Sequence, residues 1–222
     1  MTTPLEVIEL QSGKRPTASL IVLHGLGADG TDFVPVAQEL DLAPIGEVRF
    51  LFPHAPMMPV TINGGMTMRA WYDILGTDLA RREDEPGLRA SQALVEALVE
   101  RERERGIDAS RIVLMGFSQG CAMTLMTGLR YGRRLAGLVG LSGYLPLASV
   151  TQAERHAANS DVPIFLAHGS ADPVIPIARA TASRDALKVL GHPVEWHEYP
   201  MQHSVCAEEI ADLNRWLLST LA

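Results

Sequence analysis

Short apolar runs alternate along the chain with longer stretches in which apolar residues repeat every three or four positions. Runs rich in Val, Ile, Leu and Phe predict strands that are buried on both faces, and the longer stretches have the period of amphipathic helices. The predicted strands are 18–23, 48–52, 112–115, 138–141 and 163–167, with a last strand within 192–200, and the predicted helices are 32–40, 88–105, 119–130, 177–190 and 205–221.

This alternation of strand and helix patterns indicates how the chain is organised. It predicts an α/β fold, with a mostly parallel central sheet that is covered by helices on both faces. No repeat, low-complexity tract or linker interrupts the pattern, so residues 1–222 are expected to form a single domain. The exception to the regularity is 53–73, which contains three prolines, two adjacent glycines and four methionines and predicts a long excursion over a surface.

Composition and charge narrow the function classes. The chain has 222 residues, of which 47% are hydrophobic and 20% charged, as expected of a soluble globular protein. Its formal net charge is −7, which argues against a nucleic-acid partner. Two cysteines suggest neither a disulfide framework nor a metal motif, so a reduced, cytoplasmic setting is expected. No apolar stretch has the length of a signal peptide core or a membrane span.

The segment VLMGFSQGC at 113–121 places one serine between two glycines, after a predicted buried strand and before a predicted helix. A sharp strand-to-helix turn leaves no room for side chains beside its central residue, and the flanking glycines relieve that crowding. Such a turn would expose the hydroxyl of Ser118 above the sheet on a strained backbone. The pattern G-x-S-x-G also occurs by chance, but its neighbours here favour a nucleophilic serine.

A serine hydroxyl needs a base within hydrogen-bonding reach and a third group that fixes the tautomer of that base. Open α/β sheets place such groups in the loops after the carboxyl ends of strands. Asp172 follows the strand that ends in LAHG, and His203 follows the last predicted strand. The order Ser118, Asp172, His203 along the chain is that of an α/β-hydrolase triad. Ser142 and the other histidines lack this combination of position and motif.

The segment HGLGADG at 24–30 follows an early predicted strand and is suited to hold an oxyanion. The backbone N–H groups of Leu26 and of Gln119, the residue after the serine, are the predicted donors. A phosphate-binding turn is the alternative for this loop, but the loop lacks the spacing of a dinucleotide site and the Lys-Ser/Thr of a P-loop. No histidine cluster has the spacing of metal ligands, so no metal is predicted.

Several segments together resemble one family. LHGLGADG, FPHAP with TINGG and WYDI, GFSQG, LSGY, HGSADPVIP and YPMQH are similar to the acyl-protein thioesterases and carboxylesterases among the α/β-hydrolases. The resemblance covers nearly the whole chain and is greatest to the bacterial carboxylesterase branch. It implies the α/β-hydrolase fold and a serine hydrolase of esters or thioesters without a cofactor. It also implies Ser118, Asp172 and His203 as the triad and the amides of Leu26 and Gln119 as the oxyanion hole.

The sequence departs from the pattern of this family at two positions beside the predicted site. Gln202 precedes the histidine and Cys121 follows GFSQG, where family members usually have glycine. A positive φ at Gln202 would cost a non-glycine residue more. Cys121 is expected to be a small packed residue rather than a redox sensor.

The methionine-rich excursion lies, by the same resemblance, beside the acyl pocket. Met66, Met68 and Trp71 are therefore predicted to bind the acyl part of the substrate through an adaptable apolar wall. The alternative is that these side chains only pack the segment against the body of the protein.

These observations favour a serine carboxylesterase that hydrolyses short- to medium-chain acyl esters through an acyl-enzyme intermediate. An acyl-protein thioesterase or lysophospholipase acting on long acyl chains is the alternative within the family, and an amidase would use the same triad. A non-catalytic binding module on the hydrolase fold is the alternative of another class. The expected partner is a small-molecule or lipid acyl ester. No nucleic-acid partner and no integral membrane segment are expected, and the sequence is compatible with a homodimer.

Overall fold

The structure, a computed structural model, describes residues 4–76 and 83–222. The strands are β1 (Val7–Gln11), β2 (Ala18–Leu23), β3 (Val48–Pro53), β4 (Met57–Val60), β5 (Met66–Arg69), β6 (Ile112–Phe117), β7 (Gly137–Leu141), β8 (Ile164–Gly169) and β9 (Val194–Tyr199). The helices are α1 (Val34–Glu39), α2 (Glu85–Glu104), α3 (Gln119–Arg130), α4 (Ala148–Glu154), α5 (Ile177–Val189) and α6 (Ala207–Thr220). No helix in these described ranges is both long enough and apolar enough to cross a membrane.

Seven strands form one sheet in the order β1-β3-β2-β6-β7-β8-β9. Strand β1 runs antiparallel to β3, and every other neighbouring pair is parallel. The predicted mostly parallel sheet is therefore confirmed. Because parallel strands end at the same edge, the loops after β2, β6, β8 and β9 meet there.

The central strands are apolar on both faces because both faces carry helices. On β2, Leu20 and Val22 pack in a cluster with residues of α1 and α6, whereas Ile21 and Leu23 pack in a cluster with residues of α2, α3 and α5. Helix α3 is buried along its length from Gln119 to Leu129. A helix with no polar face is typical of a protein interior, and this one holds the first residue after Ser118 in place.

Three strands and one helix were not predicted from the sequence. Strand β1 has no fully buried residue because it lies at the edge of the sheet, so it lacks the continuous apolar run of a central strand. The excursion 53–73 contains a separate antiparallel hairpin of β4 and β5, in which Gly64 and Gly65 have φ values of 67° and 78° in the connecting turn. The short helix α4 follows Leu147, which has a φ of 47°.

A buried ion pair joins α2 to the sheet near its antiparallel edge. Arg49 on β3 is 7% exposed and Glu102 is fully buried, with 2.8 Å between Nη1 of the arginine and Oε2 of the glutamate. The other oxygen of Glu102 accepts a hydrogen bond from Arg105 at 2.9 Å. Removal of one member of such a pair leaves the other charge buried without its partner.

We expect Glu102→Leu to lower the free energy of unfolding by about 3–5 kcal/mol, because the Arg49 guanidinium then stays buried and uncompensated. The double variant Arg49→Met, Glu102→Leu should regain most of that stability, because no buried charge remains. Denaturant unfolding followed by circular dichroism measures both. Equal midpoints for Glu102→Leu and the unmodified protein would contradict the prediction.

Candidate active site

Ser118 lies at a sharp turn between β6 and α3, with φ of 56° and ψ of −115°. This positive φ strains any residue other than glycine, and close approach explains the two glycines that flank the serine. A Cβ at Gly116 would lie 2.1 Å from the carbonyl oxygen of Gly120, and a Cβ at Gly120 would lie 1.9 Å from that of Leu23. Only glycine fits at either position, so the turn predicted from GFSQG is present.

The strained turn is held from both sides by backbone hydrogen bonds. The N–H of Ser118 donates to the carbonyl of Leu141 on the neighbouring strand β7 at 2.9 Å. The carbonyl of Ser118 accepts from the N–H of Ala122 in α3 at 3.2 Å. Surrounding structure thus determines the conformation of the serine, as backbone strain of this kind requires.

Asp172 and His203 are brought together by the loops after β8 and β9. Oδ2 of the aspartate lies 2.7 Å from Nδ1 of the histidine. Oδ1 accepts hydrogen bonds from the N–H groups of Val174 at 2.8 Å and Ile175 at 2.9 Å, and the Asp172 side chain is fully buried. The carboxylate therefore holds the imidazole with its proton on Nδ1, which leaves Nε2 free to act as a base.

The loop that carries His203 approaches β8 closely. A Cβ at Gly169, the last residue of that strand, would lie 2.3 Å from the carbonyl oxygen of Gln202. Gln202 itself is not among the residues with positive φ, so its departure from the family pattern causes no backbone strain. The ring of Phe117, next to Ser118 in sequence, packs 4.7 Å from the ring of His203 between centroids.

A second histidine lies behind the aspartate, and its part in the site was not predicted. His168 on β8 is fully buried, with Nε2 2.8 Å from the carbonyl oxygen of Ile175 and 3.4 Å from Oδ2 of Asp172. Burial lowers the pKa of His168, which favours the neutral ring at this position. In the sequence, His168 could be connected to the site only by its place near the end of a predicted buried strand, four residues before Asp172.

The loop after β2 brings Leu26 to the same cavity as Ser118 and Gln119. His24 shapes this loop, because its Nδ1 lies 2.7 Å from the carbonyl oxygen of Gly25 and its Nε2 accepts the N–H of Ala55 at 3.0 Å. Burial lowers the pKa of His24, consistent with a neutral ring protonated on Nδ1. Gln119 begins α3, so its N–H has no carbonyl partner within the helix.

The side chain of Gln119 ties the start of α3 to the excursion segment. Its Oε1 accepts the N–H of Trp71 at 3.0 Å, and its Nε2 donates to the carbonyl of Tyr72 at 2.9 Å. The indole N–H of Trp71 in turn donates to the carbonyl of His24 at 2.9 Å. Through Trp71, the excursion segment is therefore bound both to the loop after β2 and to the first residue of α3.

A cavity of about 530 Å³ opens beside these groups. Its wall is mostly apolar and aromatic, and Tyr72 and Tyr144 on that wall join their hydroxyl groups at 2.8 Å. The residues that line it are Gly25, Leu26, Ala28, Asp32, Ile62, Tyr72, Ile74, Phe117, Ser118, Gln119, Tyr144, Pro173, Val174, Ile175, Pro176 and His203.

Met66, Met68 and Trp71 are not among these lining residues, which differs from the expectation drawn from the sequence. Met66 is 64% exposed on the hairpin, and the sulfur of Met68 accepts a hydrogen bond from Asn63 at 3.2 Å. Trp71 is 1% exposed, and its indole N–H donates to the carbonyl of His24 in the loop after β2. The hairpin exposes Met66 to solvent, and the residues of the excursion that line the cavity are Ile62 and Tyr72, with Ile74 just beyond it.

Cys121 is packed directly behind the turn at Ser118. A Cβ at Gly140 would lie 2.7 Å from its sulfur, and a Cβ at Gly143 would lie 2.3 Å from its own Cβ. Burial raises the pKa of the thiol to about 12, so the thiolate does not form near neutral pH. These contacts are those of a packed side chain.

Comparisons with known proteins agree over nearly the whole chain. A family model described as phospholipase/carboxylesterase matches residues 5–221. Acyl-protein thioesterase 1 of Yarrowia lipolytica is 39% identical over 219 residues, which are 96% of this chain and 96% of the relative. Acyl-protein thioesterase 1 of Neurospora crassa is 43% identical over 217 residues, which are 93% of this chain and 88% of the relative.

A solved structure, that of Arabidopsis thaliana SOBER1, is similar with a TM-score of 0.87 and 28% sequence identity. The similarity covers 92% of this chain and 99% of that chain. Together with the family match, it confirms the α/β-hydrolase fold expected from the sequence.

We expect Gln119→Leu to lower the free energy of unfolding, because the buried N–H of Trp71 and carbonyl of Tyr72 lose their partners at about 1–3 kcal/mol each. Hydrogen exchange should also accelerate at the amide of Trp71. Denaturant unfolding and exchange measured by mass spectrometry test the two effects. Gln38→Leu, on the exposed face of α1, is the matched control and should change neither. Equal stability of the two variants would show that the Gln119 side chain does not hold the segment.

Proposed function

The chain belongs to the phospholipase/carboxylesterase family and is an ester-hydrolysing serine hydrolase, and we propose that Ser118, Asp172 and His203 perform its reaction. The observation that carries this proposal is the 2.7 Å contact between Asp172 and His203 beside a serine held at a strained turn in the same cavity. A buried carboxylate that orients the imidazole is what a serine nucleophile requires of its base.

In the first half of the proposed reaction, Nε2 of His203 takes the proton of the Ser118 hydroxyl while its oxygen bonds to the acyl carbon. The electron pair of the carbonyl bond moves to its oxygen, and the N–H groups of Leu26 and Gln119 donate to that oxyanion. When the tetrahedral intermediate collapses, the bond from carbon to the leaving oxygen or sulfur breaks. His203 gives its proton to the departing alcohol or thiol.

The second half repeats these roles with water. His203 takes a proton from water, whose oxygen bonds to the acyl carbon of the acyl-enzyme. Collapse of the second intermediate breaks the bond to Ser118, and His203 returns the proton to the serine oxygen. Asp172 stabilises the charged imidazole in both halves and does not itself take the proton.

The acyl part of the substrate occupies the apolar wall in this proposal. We favour short- to medium-chain acyl esters, because the cavity is bounded by the buried pair of Tyr72 and Tyr144. Long-chain thioesters are the second candidate, and the observation that favours them is that curated relatives at 39% and 43% identity are acyl-protein thioesterases.

We further propose a single domain that acts in the cytoplasm without a nucleic-acid partner. Two free cysteines, Cys121 and Cys206, support a reducing compartment, and a formal charge of −7 opposes binding to phosphate backbones.

Met57, Ile62 and Met66 are exposed on and beside the hairpin, which supports a homodimer. Light scattering of the purified protein measures that state.

Turnover of nitrophenyl esters from acetyl to palmitoyl, with matched acyl thioesters, tests the reaction and the chain length together. Ser118→Ala should abolish turnover, and Asp172→Asn should lower kcat on the order of 10⁴-fold, because the imidazole loses its orientation and its counter-charge. Both variants should keep the unfolding profile of the unmodified protein. Normal turnover by Ser118→Ala would remove the mechanism, and a maximum at palmitoyl thioester would select the second substrate class.

The wall residue Ile74 offers a separate test of the acyl site. Ile74→Trp should reduce kcat/KM for octanoyl esters more than for acetyl esters, because the larger side chain fills space that only the longer chain needs. Val189→Trp, which alters a side chain that is 87% exposed at the end of α5, is the control for added bulk. An unchanged ratio in Ile74→Trp would place the acyl chain elsewhere.

A further inference from the structure

The cavity wall contains one carboxylate that the proposed reaction does not use. Asp32 lies between β2 and α1 and lines the cavity together with Leu26 and Ala28 of the same loop. Among the lining residues that the structure describes it is the only carboxylate, because the others are apolar, aromatic, hydroxyl or amide groups and the ring of His203. A single charge in an otherwise apolar wall is the feature most able to distinguish substrates by charge.

The Asp32 carboxylate is not neutralised by a neighbouring side chain. In the described part of the chain no arginine, lysine or histidine forms an ion pair with it, and the side chain is exposed to solvent. Its own N–H donates to the carbonyl of Asp29 at 3.2 Å. The Asp29 carboxylate, in contrast, accepts two hydrogen bonds from Thr31, one from its hydroxyl and one from its N–H. These bonds lower the pKa of Asp29.

Ring contacts connect the residue after Asp32 to the base of the proposed triad. The ring of Phe33, the next residue, packs 5.6 Å from the ring of Phe117, which packs 4.7 Å from the ring of His203. The leaving alcohol or thiol must reach His203 to receive its proton. Because the acyl chain occupies the apolar wall in the proposed function, the leaving group is the part of the substrate that can meet the solvent-exposed carboxylate of Asp32.

We propose that Asp32 selects the leaving group by its charge, so that a cationic alcohol or thiol is preferred over a neutral one of the same shape. An anionic leaving group, such as a phosphorylated thiol, is disfavoured by the same charge. This inference rests on the proposed function and identifies its substrate class more closely. Because the carboxylate is exposed to solvent, the expected preference is modest, about two- to fivefold in kcat/KM.

Two esters of matched shape isolate this effect. Butyrylcholine has an ammonium nitrogen where 3,3-dimethylbutyl butyrate has a carbon, so the ratio of their kcat/KM values measures the charge preference alone. We expect Asp32→Asn to lower that ratio about two- to fivefold. Added salt should lower the ratio more for the unmodified protein than for Asp32→Asn, because the variant lacks the local charge that salt screens.

The control is Glu39→Gln, which removes one negative charge from an exposed position on α1 outside the cavity. It should leave the ratio unchanged, because the net charge alone is not what selects. An unchanged ratio in Asp32→Asn, or an equal loss for both esters, overturns the role of Asp32 while the hydrolase function stands. If the unmodified protein hydrolyses neither ester, or Ser118→Ala hydrolyses both, the proposed function fails and the inference fails with it.

Discussion

The site depends on a contact between two pieces of backbone. Helix α3 begins so close to the end of β2 that a side chain on Gly120 would occupy the space of the Leu23 carbonyl. This approach places the first N–H of α3 beside the loop that starts at His24, and it forces Ser118 into its strained conformation. Because covalent geometry and packing fix this proximity, the Ser118 side chain and the first N–H of α3 are held in place before any substrate binds.

A small number of buried polar contacts transmits that order to the cavity wall. The carboxamide of Gln119 and the indole of Trp71 connect the turn at Ser118, the loop after β2 and the excursion segment. Hydrogen bonds in a buried place are costly to break, because the groups that lose a partner cannot turn to water instead. Tyr72 in the wall is therefore held as firmly as the turn at Ser118, although it lies outside the two strands of the excursion segment.

Elements that are buried on both faces could be predicted well, because their burial leaves a continuous apolar pattern in the sequence. Strand β2 and helix α3 were predicted with the boundaries that the structure has, whereas β1 was missed because an edge strand mixes polar and apolar residues. At the site, the motif positions of Ser118, Asp172 and His203 were readable from loops that follow strands. The wall was not, because Trp71 and Tyr72 are neighbours and only Tyr72 lines the cavity. The sequence pattern gives proximity to the pocket and does not give the direction of a side chain.

The buried thiol of Cys121 has a practical consequence for covalent chemistry. With a pKa of about 12 and glycines packed against it, this cysteine is poorly suited to react with maleimides or iodoacetamide, which attack the thiolate. Cys206 is only half-buried and lies at the start of α6, three residues after His203. A fluorophore attached through a thiol would therefore mark Cys206, beside the loop of His203, in preference to the thiol packed behind Ser118.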